Sequence, residues 1–364
     1  MKRICVAAMI VLFASCGRKD DFGLQTIPVD VDQNISLLLS EIADDIRQVE
    51  LELTDNSTIA NVRKVLLCGE YILVYNGVRG GGEMLLFDGN GKFVRKIGRK
   101  GPGPGEYNHI LTVTTDAKNG LIYVISAGNK LICYDLNGQL VREETSPLWQ
   151  SVKSLNYING KMLFIREHIG EKDAAGSFNR AMLYELDAQF QPTDSVEIRK
   201  VYLDRIGFWM HPYEDFLHSS GKKKYLYLSE QNPEPLVRDT LYEFKTENRL
   251  IPHLRLSFPD EGIASDGMKY IYLLNIYRSE RYVFAIYMHD RRNEFYRFCY
   301  DLKTGKGVNM KDGYTDDANR SEERVSIRPF DSDVEKFYYI LKREIPDNSD
   351  EEPNPTLYIG TLKK

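Results

Sequence analysis

Short apolar runs of strand length, separated by turn-forming residues, occur along most of this chain. The runs at 62–67, 71–75, 84–88 and 93–97 are rich in aliphatic and aromatic residues, and Gly or Asn residues lie between them. Runs of this length with such boundaries are typical of strands, whereas helices need longer segments with a 3.6-residue period. Helical periodicity is found in one candidate segment, 37–49. The pattern therefore predicts an all-β protein.

One strand motif recurs along the chain. An apolar or aromatic strand ends in an aromatic residue and an acid, and a turn follows. The copies lie at 85–88, 132–135, 182–185, 240–243, 298–301 and, in degenerate form, 356–359. Their last residues are 47, 50, 58, 58 and 58 residues apart. A repeat of about 40–50 residues, lengthened by loops, is typical of the four-stranded blades of a β-propeller.

The turns after the copies place them within a blade. Asn-Gly follows the first two copies, at 90–91 and 137–138, and it is a strong signal for a hairpin turn. Each copy is therefore predicted to be the third strand of a blade, turning into the fourth. The same pattern predicts two more complete blades, with strands at 111–115, 121–125, 130–135 and 140–143, and at 270–277, 281–288, 294–300 and 307–310.

The sixth blade lacks a fourth strand, because the chain ends soon after the last copy. The segment 46–53 alternates apolar and polar residues and has no partner before the first blade. We expect this N-terminal strand to complete the sixth blade, since ring closure removes the open sheet edge. The sequence thus predicts one six-bladed β-propeller of four-stranded antiparallel blades over residues 36–364.

The N-terminus has the features of an exported lipoprotein. Lys2 and Arg3 precede a twelve-residue apolar stretch, 4–15. That stretch is too short to span a bilayer of about 30 Å, so 1–15 is predicted to be a signal peptide. It ends in Ala-Ser before Cys16, which resembles a lipobox, and Cys16 is predicted to carry the lipid. The alternative is ordinary signal-peptidase cleavage with an incidental Cys.

The residues after Cys16 bear on location. Lys19, Asp20 and Asp21 resemble the surface-export signal of Bacteroidota lipoproteins. We therefore predict an outer-membrane lipoprotein that is exposed on the cell surface, with the periplasmic face as the alternative. Residues 16–35 are predicted to be the lipidated Cys and a flexible tether.

Charge and cysteine content narrow the possibilities. The net charge is −5, which argues against a general nucleic-acid binder because such proteins need a basic face. Cys68, Cys133 and Cys299 lie in apolar runs of different predicted blades. We expect three separate buried thiols, although an oxidising compartment leaves a disulfide as the alternative.

Part of the sequence resembles a known repeat family. The segment 92–107 has a strand ending in Gly, then a Gly/Pro-rich turn that closes with Gly105, Glu106 and Tyr107. This resembles the NHL-repeat signature, and 121–124 and 130–143 continue its pattern. The leader together with 36–53 also resembles the N-terminus of six-bladed propeller lipoproteins of Bacteroidota. The resemblance implies the fold and the anchor, and it implies no activity.

Candidate ligand-binding residues come from the loops of one rim. In a propeller, the loops that join the second strand to the third, and each blade to the next, lie on the same side. Aromatic residues beside Arg and His suit a sugar, a peptide or an anion. The candidates on this rim are Arg79, Arg99, His109, Trp149, Arg166, His168, Trp209, His211, Arg238, Arg291 and Arg292.

The sequence contains none of the motifs that identify a catalytic centre, and we predict neither a metal site nor a cofactor. The first hypothesis is a binding module that captures a glycan, a peptide or a partner protein through its loop rim and central channel. The alternatives are a lyase or hydrolase with its active site at the central channel, and a structural scaffold for an outer-membrane assembly.

Overall fold

The computed structural model confirms the predicted architecture. It describes residues 24–78, 81–202, 217–230, 234, 236–245, 249–319, 323–345 and 352–364. Six antiparallel sheets form a ring, and the fold is a six-bladed β-propeller. In each blade the chain runs from the strand nearest the axis outward, except in the sixth, whose outermost strand comes from the N-terminus.

The strands of the first three blades follow one another along the chain. Blade 1 contains Val62–Cys68, Tyr71–Val78, Gly81–Phe87 and Phe93–Ile97. Blade 2 contains Ile110–Asp116, Leu121–Ser126, Lys130–Asp135 and Leu140–Thr145. Blade 3 contains Val152–Ile158, Lys161–Asp173, Gly176–Leu186 and Pro192–Tyr202.

The second half of the ring also uses segments from the N-terminus. Blade 4 contains Leu217–Ser220, Lys223–Leu226, Thr240–Phe244, Leu250–Ser257 and a fifth strand, Gln25–Pro28. Blade 5 contains Ile271–Arg278, Tyr282–His289, Glu294–Asp301 and Lys306–Lys311. Blade 6 contains Arg328–Phe330, Asp333–Leu341, Thr356–Leu362 and Ala43–Glu50. All six copies of the sequence motif lie in third strands, as predicted.

Short elements connect the blades. Two-residue strands pair Arg99–Lys100 with Glu106–Tyr107 and Tyr314–Thr315 with Arg324–Val325. The 3-10 helices are Pro147–Trp149, Pro259–Gly262 and Asp290–Arg292, and the α-helix is Leu39–Ile42. No helix in the described part of the chain is long and apolar enough to cross a membrane.

The N-terminal strand closes the ring, as the sequence predicted. Ala43–Glu50 pairs antiparallel with Thr356–Leu362, and Val49 lies opposite Leu357. The candidate helix at 37–49 was wrong, because only Leu39–Ile42 is helical and the strand begins directly after it. Pairing with the sixth blade satisfies the backbone of this segment and overrides its weak helical periodicity.

Part of the predicted tether is also ordered. Gln25–Pro28 pairs in parallel with the outermost consecutive strand of blade 4, Leu250–Ser257. Ile27 is fully buried there, so the segment gains apolar contacts that a flexible tether would lack. The chain then crosses blade 5, where Arg292 donates to the carbonyl of Val31 at 2.9 Å.

The core consists of apolar clusters between neighbouring blades. The cluster of Leu66, Met84, Ile122 and Val124, for example, joins blades 1 and 2. Cys68, Cys133 and Cys299 are free and buried in blades 1, 2 and 5, as the reading of three separate thiols expected. Apolar packing between neighbouring blades therefore stabilises the ring.

Side chains from opposite blades meet at the axis. Asp331, in the turn after the first strand of blade 6, accepts hydrogen bonds from Lys64 Nζ at 2.9 Å and Asn156 Nδ2 at 2.8 Å. Its backbone carbonyl accepts from the Ser219 N–H at 3.0 Å. Blades 3 and 6 lie across the ring from each other, so the Asn156–Asp331 contact crosses the axis. Hydrogen bonds therefore cross the central channel at this level.

Candidate functional site

Blade 3 differs from the other blades in the length of its central hairpin. Its second and third strands have 13 and 11 residues, whereas the second strands elsewhere have four to nine. The two long strands stay paired to the tip, where Asp173 lies opposite Gly176. The blade 3 hairpin, Lys161–Asp173 and Gly176–Leu186, therefore extends on the rim where the candidate residues were predicted.

The face of the hairpin toward blade 2 carries a polar cluster. His168 Nε2 lies 3.3 Å from the Tyr184 hydroxyl, and His168 Nδ1 lies 3.4 Å from Glu171 Oε1. Arg180 donates to the same Glu171 oxygen at 2.9 Å. Arg166 is two residues before His168 on the same strand face. We call Trp149, Arg166, His168, Glu171 and Arg180 the Arg166 cluster.

Several donors of the Arg166 cluster have no acceptor. Within the described ranges, the side chain of Arg166 donates no hydrogen bond and forms no ion pair, and its Nε is buried. The Nε of Arg180 is also buried without a partner. Buried polar groups are normally hydrogen-bonded, so these donors point to an acceptor that the described part of the chain does not supply.

Trp149 lies close to Phe164, which is two residues before Arg166 on the same strand. It belongs to the connection from blade 2 to blade 3, and its ring is fully buried against Phe164, with centroids 5.3 Å apart. The indole Nε1 has no hydrogen-bond partner. Trp149 was predicted as a rim residue, and the structure places it beneath the rim, where its ring contributes to packing and its N–H remains unsatisfied.

The electrostatics of the cluster keep His168 neutral. Burial lowers the pKa of His168 below its usual value, and the charges of Arg166 and Arg180 lower it further, while Glu171 acts in the opposite direction. With His168 neutral, the described residues of the cluster include two guanidinium groups, those of Arg166 and Arg180, and one carboxylate, that of Glu171. The cluster therefore has an excess of positive charge.

The opposite face of the hairpin, toward blade 4, carries a satisfied network. Arg199 forms a close ion pair with Glu167, and both side chains are almost fully buried. Arg199 also donates to the carbonyl of Ser229 at 2.6 Å, and Lys153 lies 3.6 Å from Glu167. Burial lowers the pKa of Arg199, and Glu167 acts against this change. This pairing contrasts with the open donors of the Arg166 cluster.

The network continues into the loop of blade 4. Arg238 donates to Glu234 at 2.8 Å, and Lys269 pairs closely with Glu230. Arg238 and Glu234 border a cleft of about 270 Å³ between blades 3 and 4, whose wall includes the exposed Leu236. The predicted candidate Arg238 thus lies beside a concave surface, with its charge already paired.

The other described candidates are dispersed around the rim. Arg99 pairs with Glu106 at 2.6 Å, and Arg291 pairs with Asp266. Arg292 pairs with Asp32 at 2.5 Å and holds the N-terminal segment on blade 5. His109 is exposed at the start of blade 2. The structure does not bring these four residues together with Arg166.

Other predicted residues lie outside the described part of the chain. Arg79, Trp209 and His211 are among them, and so is the predicted lipidation site, Cys16. In the ranges that are described, no group of three or more His, Cys, Asp or Glu residues could hold a metal ion.

Sequence reasoning missed four charged residues of blade 3. Glu167, Glu171, Arg180 and Arg199 lie within strands, and the search for site residues was confined to predicted loops. A signal was present, since charged residues at 166–168 directly follow the apolar run 162–165. When a strand changes from apolar to charged residues, its charged end is expected to extend beyond the apolar core.

Comparison with known proteins agrees with the fold. The family model that matches, over residues 24–363, is described as a domain of unknown function (DUF4934). A Bacteroides fragilis protein described as exported has a structure similar to this one, with 20% identity and a TM-score of 0.61, over 93% of this chain and 99% of that chain. None of the curated proteins compared with the chain matches it.

Two other solved structures are more distant propellers. The β-propeller domain of Cps50 (Swd1) from Myceliophteria thermophila is 12% identical, with a TM-score of 0.42, over 86% of this chain and 99% of that chain. The WD40 repeats of RRP9 are 9% identical, with a TM-score of 0.45, over 90% and 99%. Similarity at this level has no bearing on function. The resemblance to NHL repeats stays a prediction.

Proposed function

Because the chain belongs to the DUF4934 family, whose description states no function, we propose a function from the geometry of the rim. The protein is an exported, lipid-anchored binding protein that takes its ligand at the rim of blade 3. The carrying observation is the extended blade 3 hairpin with buried, unpaired donors at its base. Fold alone cannot supply this conclusion, because propellers host many functions.

Export and anchoring are supported by the leader. The apolar stretch 4–15 and the lipobox-like residues before Cys16 favour lipidation. The similar Bacteroides fragilis protein is described as exported, which agrees with this proposal. A surface location rests on Lys19, Asp20 and Asp21 alone.

Binding at the rim is supported by exposed apolar side chains beside the charged ones. Ile169 and Tyr202, both close to the hairpin tip, are 45% and 48% exposed. Apolar residues next to buried polar donors are typical of ligand sites, where a few polar groups set the orientation. At the axis, by contrast, Asp331 is already hydrogen-bonded to Lys64 and Asn156.

Calorimetry tests this proposal. The protein from residue 24 onward is titrated with a panel of glycans and peptides, and every ligand found is measured again with Ile169→Ala. We expect this change to weaken binding about tenfold, because the apolar contact area that it removes contributes about 1.4 kcal/mol of binding free energy.

The control is Val141→Ala on the outer strand of blade 2, where Val141 is 55% exposed. It should leave the affinity unchanged. Equal weakening by both variants would place the ligand away from the rim. A panel without any ligand for the wild-type protein would contradict the binding function itself.

A further inference from the structure

The Arg166 cluster has too few acceptors for its donors. Three buried nitrogen atoms lack a partner: Nε1 of Trp149, Nε of Arg166 and Nε of Arg180. An unsatisfied buried donor costs free energy, and more so when the group is charged. On the side of blade 3 that faces blade 4, the buried donors of Arg199 do have acceptors, namely Glu167 and a backbone carbonyl.

Arg166 is distinctive among the described arginines of the predicted rim set. Arg99, Arg238, Arg291 and Arg292 each pair with a carboxylate of the protein. Arg166 has no such partner in the part of the chain that the structure covers. Its planar guanidinium can therefore donate two parallel hydrogen bonds to the two oxygen atoms of a carboxylate from outside the protein.

The charge balance indicates the sign of the missing group. The cluster holds two guanidinium groups and one carboxylate, that of Glu171, which Arg180 and His168 already share. The indole of Trp149 is a donor only, so it also needs an acceptor. A cationic or purely apolar ligand would satisfy none of these donors, whereas a group with oxygen acceptors supplies what they lack.

We propose, on the basis of the proposed rim site, that the Arg166 cluster binds an oxyanion, namely a carboxylate or sulfate group carried by the ligand. Arg166 provides the charge and the fork, and Arg180 provides a second guanidinium beside it. Trp149 Nε1 is a neutral donor of the cluster. His168 lies next to Arg166 on the same face of the strand.

The experiment uses glucuronate and sulfate as charged probes and glucose as the neutral probe. Calorimetry with the protein from residue 24 onward should detect glucuronate or sulfate and should not detect glucose. The stronger of the two charged probes identifies the group that the cluster prefers. No response to either one overturns the proposal.

Arg166→Met tests the assigned residue. It should weaken the bound probe about 10- to 100-fold, because hydrogen bonds to charged groups contribute about 1.5–3 kcal/mol. Arg291→Met is the matched control, since Arg291 is a rim arginine paired with Asp266, and it should change nothing. Unchanged binding in Arg166→Met would overturn the assignment.

A second readout does not depend on the folding of a variant. In the wild-type protein, a bound anion offsets the charge of Arg166, so the pKa of His168 should rise. NMR titration of the His168 ring with and without the bound probe measures this change. An unchanged His168 pKa with the probe bound would locate the anion elsewhere.

The failure of this proposal is distinguishable from failure of the rim function. A glycan or peptide that binds in an Ile169-dependent way, without competition from glucuronate or sulfate, would leave the rim function standing and reject the oxyanion. Anion binding that depends on Arg166 but not on Ile169 would support the oxyanion site and would show that Ile169 does not contact the ligand.

Discussion

At the scale of single residues, His218 shows how burial fixes a protonation state. It lies in the first strand of blade 4 and is 2% exposed. Its Nε2 accepts a hydrogen bond from the Arg278 N–H at 3.0 Å, which requires the unprotonated nitrogen. Burial lowers the pKa of His218 to about 3, and the charge of Arg278 acts in the same direction.

This pKa predicts a loss of stability in acid. The unfolded chain takes up a proton at His218 below about pH 6.5, whereas the folded protein does so only near pH 3. The contribution of His218 is therefore fully present above pH 6.5 and is lost as the pH falls toward 3. Between pH 7 and 4.5, His218 alone should lower the free energy of unfolding by about 3 kcal/mol.

Urea denaturation at the two pH values measures this loss. The variant His218→Gln should lose about 3 kcal/mol less than the wild-type protein over the same interval. His109→Gln, at an exposed position, is the control and should keep the wild-type dependence. The account of His218 fails if both variants follow the wild-type protein.

Residue type alone predicted part of the candidate site. The rest could not be predicted, because it depends on contacts between residues that are distant in the sequence. Trp149, Arg166 and His168 were chosen as candidates because Arg, His and aromatic residues in predicted rim loops suit ligand binding. Whether an Arg is paired depends on residues distant in sequence, such as Asp32 for Arg292, across 260 positions. Pairing of this kind has no local sequence signature. The lack of a partner for the Arg166 side chain could therefore be recognised only from the structure.

At the scale of elements, the seam between blades 6 and 1 closes the ring. The outer strand of blade 6 ends at Glu50, and the hairpin turn of blade 1 packs against it. Gly91 in that turn has a φ of +88°, and its carbonyl accepts from the Glu52 N–H at 2.9 Å. A Cβ at Gly91 would lie 2.1 Å from the Glu50 carbonyl oxygen.

Gly91→Ala should therefore disrupt the contact between the hairpin turn of blade 1 and the outer strand of blade 6. We expect a loss in free energy of unfolding of about 2–4 kcal/mol, from the positive φ and from the steric clash together. Gly128→Ala is a matched control, because its φ is +91° and nothing lies within 4 Å of the added Cβ. It should cost about 1–2 kcal/mol. Equal losses in chemical denaturation would show that the seam tolerates the contact.

The elements show where sequence patterns are sufficient. The third strands of five blades were found because an aromatic residue, an acid and a turn identify them locally, and the degenerate copy at 356–359 keeps the aromatic residue without the acid. The strand Gln25–Pro28 was missed, since its parallel partner lies more than 200 residues away and its sequence, QTIP, has no strand pattern. The predicted helix failed because pairing with blade 6 decides the conformation of 43–50.

At the scale of the whole molecule, the N-terminal segment predicts how the propeller is oriented relative to the membrane. Gln25–Pro28 runs parallel to Leu250–Ser257, which ends at the rim that carries the blade 3 hairpin. The chain therefore enters blade 4 from the direction of the opposite rim. The eight residues between Cys16 and Gln25 can span at most about 30 Å. A lipid on Cys16 should then hold that opposite rim toward the membrane and leave the Arg166 cluster facing away.

Fluorescent labels test this orientation on vesicles that contain quencher lipids. Lys222→Cys labels the turn between the first two strands of blade 4, and Ala174→Cys labels the hairpin tip. In the lipidated protein we expect stronger quenching at 222 than at 174. Stronger quenching at 174 would reverse the orientation, and a protein that does not bind the vesicles would contradict the lipid anchor.

The central claim is that an oxyanion binds at Arg166 on the rim of blade 3, and a crystal structure with bound glucuronate tests it most directly. The account predicts a carboxylate within hydrogen-bonding distance of the Arg166 guanidinium, near Nε1 of Trp149, in wild-type crystals but not in Arg166→Met crystals. A carboxylate bound at another surface, with the Arg166 cluster unoccupied, would contradict it.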